Sequence, residues 1–323
     1  MTLTRQTQMT ILAAVVLALL PLFVSNFHTF LFTKILFLAL VAGSFILLAG
    51  YGGMLSLAQA AFFGVAGYIV ARLSFFHDMP LWQVAPLALL GAVVVSAAFA
   101  IIAVRTTKIY FLMMTLALSQ MAFYAALQWS TVTGGYDGIT GIDRPSLFGY
   151  EFATTVQLYY FTLVPVFLCY LFLKRLVASP FGLALQGIRD SEKRMAALGF
   201  NVPLHRFLAI VVSGAVAGLA GVISTYFYGM IGPTTVSIGA AVMILFIALL
   251  GGIGRFEGAI VGAIVYVLLQ DFASMYTLRY HSLIGLFFVF IVLFFPGGIT
   301  SIRFGRRKKT PDAEQGGKAR EAS

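Results

Sequence analysis

The chain has 323 residues, of which 60% are hydrophobic and only 10% charged, with a mean hydropathy of +0.97. A soluble domain carries roughly 25% charge, so this composition excludes a soluble globular protein and defines a polytopic membrane protein. The net charge of +10 is divided among short loops and a tail, which reads as a topology signal and not as a nucleic-acid surface, and the lone Cys169 excludes a disulfide framework or cysteine metal cluster.

In chain order, Ile11 to Val24 reads as a first span, with no removable signal peptide. Ile35 to Ala71 then runs without an ionised side chain. As one helix it would be about 55 Å long against a hydrocarbon core of about 30 Å, so it must turn, and Gly50-Tyr51-Gly52-Gly53 is where it can. Further spans are predicted at about Val84–Val104, Tyr110–Trp129 and Leu158–Leu173. The Gly-rich loop Thr133–Ile142 separates the last two. Phe207 to Gly254 is again free of ionised side chains and breaks at Gly229-Met230-Ile231-Gly232-Pro233 into two spans. A turn at Gly251–Gly258 leads to a ninth span ending near Gln270, and Leu283–Phe295 gives a tenth. Residues 1–302 read as one membrane domain and 303–323 as a basic, disordered tail.

The fold class is therefore all-α, a polytopic membrane helical bundle of about ten transmembrane helices. Ten spans place both termini on one side. With that side cytoplasmic, 17 of the 21 Lys and Arg residues lie inside and Lys34, Arg72, Arg144 and Arg279 lie outside. That is the bias the positive-inside rule requires.

One long polar stretch, Ser179–Pro203, interrupts the membrane pattern with the punctuation of two short helices. Ser179 is placed to N-cap, with Pro180 at the first helical position. Asp190 is placed to cap a second helix with Glu192 in its first turn. Gly199 suits a left-handed terminator, and Pro203 bars resumption of the helix. Leu185, Ile188, Met195 and Leu198 recur at helical spacing, with Arg189, Lys193 and Arg194 off that stripe. Such a stretch serves either as a docking element or as an interfacial helix on lipid headgroups.

Small-xxx-small pairs at Ala60/Gly64, Gly214/Gly218 and Gly258/Gly262 favour close helix packing. Gly252, Gly254 and Gly258 do not form a dinucleotide loop, because a membrane span precedes them instead of a βαβ unit. No phosphate-binding Gly-x-x-x-x-Gly-Lys-Ser/Thr occurs, so the chain does not supply its own ATPase cradle. No predicted span centre holds an ionisable group. The neutral polar residues inside the spans are Gln59, Thr115, Ser119, Gln120 and Ser213, read as interhelical hydrogen-bonding groups or, for Gln59, Thr115 and Gln120, as lining of a solute pathway.

Several of these motifs together resemble one family. They are Gly52–Gly64, Tyr110–Ala117, Thr133–Gly138, Ser179–Gly199 and Gly251–Gly254, in order across roughly residues 35 to 300. The family is the branched-chain amino acid ABC transporter permease of the M type. The resemblance implies a type II ABC importer-like fold and a non-enzymatic membrane subunit in a bacterial inner membrane, with no cofactor. It implies two ATP-binding cassette ATPase subunits, a homologous second permease and a periplasmic substrate-binding protein as partners. It makes Ser179–Pro203 the coupling loop, with Arg189, Asp190, Glu192, Met195, Ala196, Ala197, Leu198 and Gly199 as the ATPase-coupling residues. Gly187 stands where the family usually has alanine, a departure expected to loosen the joint between the two helices. Solutes other than branched-chain amino acids, such as urea, amides or small aromatic acids, and an ion-coupled carrier or channel remain the alternatives.

Overall fold

The computed structural model describes residues 17–21, 24–77, 79–106, 109–147, 150–152, 154–276, 280–294 and 298. Helix α1 runs Asn26–Ile46 and continues as a π-helical turn, Leu47–Tyr51. Then come α2 (Gln59–His77), α3 (Leu81–Ala103), α4 (Ile109–Gln128) and the single turn α5 (Ser130–Thr133). Three two-residue strands follow, β1 (Ile139–Thr140), β2 (Ser146–Leu147) and β3 (Tyr150–Glu151). Helices α6 (Thr155–Ala178), α7 (Pro180–Asp190), α8 (Glu192–Ala197) and α9 (Val202–Tyr228) precede β4 (Met230–Ile231). A 3-10 turn at Pro233–Val236 leads into α10 (Ile238–Gly251), α11 (Phe256–Tyr276) and α12 (Tyr280–Phe294).

Seven of these segments are long and apolar enough to cross a membrane: 26–51, 59–77, 81–103, 109–128, 155–178, 202–228 and 256–276. Helix α10, at 14 residues, and α12, at 15, are shorter. Of the predicted first span only 17–21 and Val24 are described; 17–21 is helix, held to α6 by the Tyr159 and Tyr160 hydroxyls, which donate to the Leu17 and Ala18 carbonyls. The tail 303–323 lies outside the described residues. The all-α membrane bundle stands, while the count of ten does not follow from these helices.

Two helices organise the packing. Helix α1 is the most buried of the seven spans and is surrounded by α6, α9, α10 and α11, while α9 packs against α2 and α3. The α3–α9 contact is made by small residues. Helix α3 buries Val84, Ala88, Ala92, Ser96 and Ala100, a ridge at four-residue spacing. The predicted pair Gly214/Gly218 faces it: a Cβ on Gly218 would lie 2.5 Å from Ala92 Cβ, and one on Gly214 would run into Ser96. Bundles lacking a hydrophobic force between helices depend on such close backbone approach.

The Gly-rich loop closes over the break in the 207–254 run. Ile139 pairs with Ile231 and Thr140 with Met230 in antiparallel register, and the Ile142 amide donates to the Gly229 carbonyl at 3.0 Å. Helix α6 opens with a capping box: Thr154 Oγ1 accepts from the Gln157 amide, and Gln157 Oε1 accepts from the Thr154 amide.

One boundary is corrected by this packing. Lys34, expected in a loop after the first span, is the ninth residue of α1, about 12 Å from its start. Its ammonium donates to Gln270 Oε1 at 2.9 Å, and Gln270 and its neighbour Asp271 both lie within α11. The helix carries this charge because a polar partner on the adjacent helix meets it.

Candidate coupling site

The polar stretch forms two helices, as its punctuation predicts, but two predicted caps and one predicted stop are used differently. Ser179 holds the N-cap position of α7 with Pro180 at the first turn, yet its hydroxyl donates back to the Leu176 carbonyl at 2.6 Å and caps nothing. Asp190 is the last residue of α7, where its carboxylate accepts from the Arg189 Nε and Nη2 groups at 3.1 Å. The cap of α8 is Ser191, whose Oγ accepts from the Arg194 amide. Either neighbour has the chemistry of a cap. Asp190 is occupied by Arg189, and that leaves Ser191. Pro203 does not bar a helix; it sits in the first turn of α9, behind Asn201, whose Oδ1 accepts from the Leu204 amide at 3.1 Å.

The end of α8 fits the expectation. Gly199 has φ +86°, the Gly199 amide donates to the Ala196 carbonyl at 3.0 Å and the Phe200 amide to the Met195 carbonyl at 3.1 Å. This hydrogen-bond pair is the Schellman termination, which needs a left-handed residue where glycine stands.

The predicted apolar stripe splits. Leu185 and Ile188 are buried in the bundle, Met195 is half-buried, and Leu198 is exposed. The Leu185–Ile188 side of α7 is thus covered by protein, while Leu183 on the same helix stays exposed. Met195 seats on Gly187, where a Cβ would come within 2.7 Å of its sulfur. The glycine therefore packs the joint closely, contrary to the loosening expected. Glu192 pairs with Arg206 of α9 at 2.9 Å, fixing α8 against the next span. What remains outward is a compact apex: Lys193, Arg194, Ala196, Ala197, Leu198 and Gly199 are all exposed.

Of the residues named for a pathway, Gln59 and Thr115 are buried and serve as cross-links, while Gln120 is half-buried. Gln59 Nε2 donates to Ser213 Oγ at 2.9 Å, and Thr115 Oγ1 accepts from the Leu57 amide at 3.2 Å while donating to the Leu112 carbonyl. Gln120 lies further along α4, its Nε2 buried without a partner. The composition carries no sign of the Arg189 contact with Gly50, in which Nη1 donates to the carbonyl at 2.6 Å across 139 residues.

A bundle of long apolar helices that presents a capped, partly polar helix pair at its surface has the architecture of a polytopic membrane protein. The chain belongs to the family described as branched-chain amino acid transport system / permease component, whose model matches residues 27–295. It is 25% identical over 293 residues to the high-affinity branched-chain amino acid transport system permease protein LivM of Escherichia coli K12, covering 84% of this chain and 69% of the relative. The Salmonella typhimurium LivM protein is likewise 25% identical, covering 77% of this chain and 64% of the relative. The chain thus spans about two thirds of these relatives' length. The Escherichia coli permease protein LivH is 24% identical, covering 81% of this chain and 90% of its own. No solved structure matches.

Proposed function

We propose that the chain is one permease half of an ATP-driven importer that passes branched-chain amino acids across a bacterial inner membrane. Two ATP-binding cassette subunits, a second permease of the same family and a periplasmic binding protein complete the machine. The permease domain is 1–302, and its coupling loop, 179–203, docks into the ATPase. The span count is ten, with both termini and the tail 303–323 cytoplasmic. The observation that carries the reading is the exposed apex Ala196–Gly199, held rigid by its Schellman end and by the Glu192–Arg206 pair, in a chain of this permease family.

The substrate class follows from the relatives' names and accords with an interior whose polar groups are mostly neutral, the Lys34 ammonium being met by Gln270. Gln59, Thr115 and Gln120 are the proposed lining, and an isolated ion without a partner would be costly there. A zwitterion with an apolar side chain is tolerable where helix breaks such as Gly229–Pro233 offer backbone groups. Uptake of labelled leucine by cells with and without the gene, with other leucine transporters deleted, is the test. Gene-dependent uptake is expected. Equal uptake removes branched-chain amino acids and leaves urea, amides or small aromatic acids as solutes.

A further inference from the structure

Arg189 is grouped by motif with the residues that face an ATPase, but one edge of its partly exposed guanidinium is turned onto the end of α1. Nη1 donates to the Gly50 carbonyl at 2.6 Å, while Nε and Nη2 hold Asp190 Oδ1 at 3.1 Å. Gly50 belongs to the π-helical turn that ends α1, where the ladder shifts register: the Gly52 amide donates to the Leu47 carbonyl at 3.2 Å and the Met54 amide to the Leu48 carbonyl at 2.9 Å. The last carbonyls of a helix lack intrahelical partners and carry the negative end of its dipole. A guanidinium meets both needs, through a charge-assisted bond about twice as strong as a neutral one.

The surrounding fit is close on both sides of that turn. Gly53 has φ +66°, and a Cβ there would lie 2.6 Å from Arg189 Cγ. On the opposite side, a Cβ on Gly50 would run into the Ile253 carbonyl, and the Tyr51 ring stacks on Phe256 at 5.0 Å. One turn therefore touches α7, the end of the most buried helix, and the α10–α11 connection. π-helix is rare, appears mostly as single turns, and is frequently found at functional sites.

We propose that Arg189 is a positioning residue that fastens α7 to the end of α1, so that displacement of the helix pair passes to α1 and, through Tyr51 and Phe256, to α11. This rests on the docking role of 179–203 proposed above. Helix α7 is thereby the inner lever of the pair, and the apex of α8 is its contact with the ATPase.

The test uses the assembled transporter in proteoliposomes, with Arg189→Gln, Arg189→Lys and, as a docking control, Leu198→Asp. Leucine moved per ATP hydrolysed is measured with leucine-loaded binding protein, alongside the amount of ATPase that copurifies. Arg189→Gln is expected to keep the ATPase bound and hydrolysing while leucine moved per ATP falls about tenfold, the scale of one charge-assisted bond. Arg189→Lys, with a single ammonium able to reach Gly50, is expected to fall between. Normal coupling in Arg189→Gln overturns the proposal, and so does loss of the ATPase from a permease that still folds, which would make Arg189 a docking contact. If Arg189→Gln does not assemble, Arg189→Lys decides: lowered coupling with the ATPase retained supports the linkage, and unaltered coupling overturns it. Failure of the docking reading is separate, since it appears as ATPase still bound to Leu198→Asp.

Discussion

Gln59 and Ser213, 154 residues apart, share a buried hydrogen bond of 2.9 Å, and Ser213 donates onward to the Ser44 carbonyl at 2.8 Å. The chain of contacts ties α2 to α9 and α9 to α1, the two helices around which the bundle is built. A hydroxyl that both accepts and donates is needed at its centre. Ser213→Ala removes it and leaves the Gln59 amide buried without an acceptor, at a cost of about 1–3 kcal/mol. A lowered melting temperature in detergent is expected, with part of the loss recovered in Ser213→Ala/Gln59→Leu, where both polar partners are gone.

The α3–α9 seam predicts a steep size dependence. Gly218→Leu inserts a branched side chain where even a Cβ lies 2.5 Å from Ala92 Cβ. Overpacking a tight contact costs typically about 1–3 kcal/mol. Thermal unfolding of the purified permease should show the loss, and Gly254→Ala, at a position where a Cβ meets nothing within 4 Å, should show little.

Gly199 separates backbone cost from steric cost. A Cβ there meets nothing within 4 Å, yet φ is +86°. Gly199→Val therefore acts through backbone strain alone, about 1–2 kcal/mol, and Gly199→Asn should be milder because asparagine tolerates the left-handed region. Copurified ATPase and transport should fall in the order Gly, Asn, Val, with the binding protein's affinity for solute unchanged.

Leu198 is 72% exposed at the proposed ATPase contact. Leu198→Asp buries nothing and removes nothing from the core, so the melting temperature of the isolated permease should hold. Copurification of the ATPase should be lost, because a carboxylate would be desolvated at the contact.

Orientation is tested by labelling. With Cys169 replaced by serine, single cysteines at Ser146 and Ser191 should differ: an impermeant thiol reagent on intact cells should mark only Ser146→Cys. Labelling of Ser191→Cys would reverse the assigned topology.

The membrane class, the helix breaks at Gly50–Gly53, Gly229–Pro233 and Gly251–Gly258, and the left-handed Gly199 were all legible in the one-dimensional chain. They depend on hydropathy summed over a window and on local backbone preference, and neither needs a distant partner. The facing of each helix was not legible, since lipid and protein core are equally apolar and a hydrophobic residue carries no sign of which it meets. Only the folded bundle put the Val84–Ala100 ridge against Gly214 and Gly218, paired residues 139–140 with 230–231, and drew Lys34 into a helix by giving it Gln270. The same limit applied in the coupling stretch. Asp190 and Ser191 are adjacent and equally suited to cap α8, and Arg189 had equal reason to face a partner or its own chain. Tertiary contact broke both ties: Gly50 offered the guanidinium an orphan carbonyl, Arg189 took up the Asp190 carboxylate, and the cap passed to Ser191.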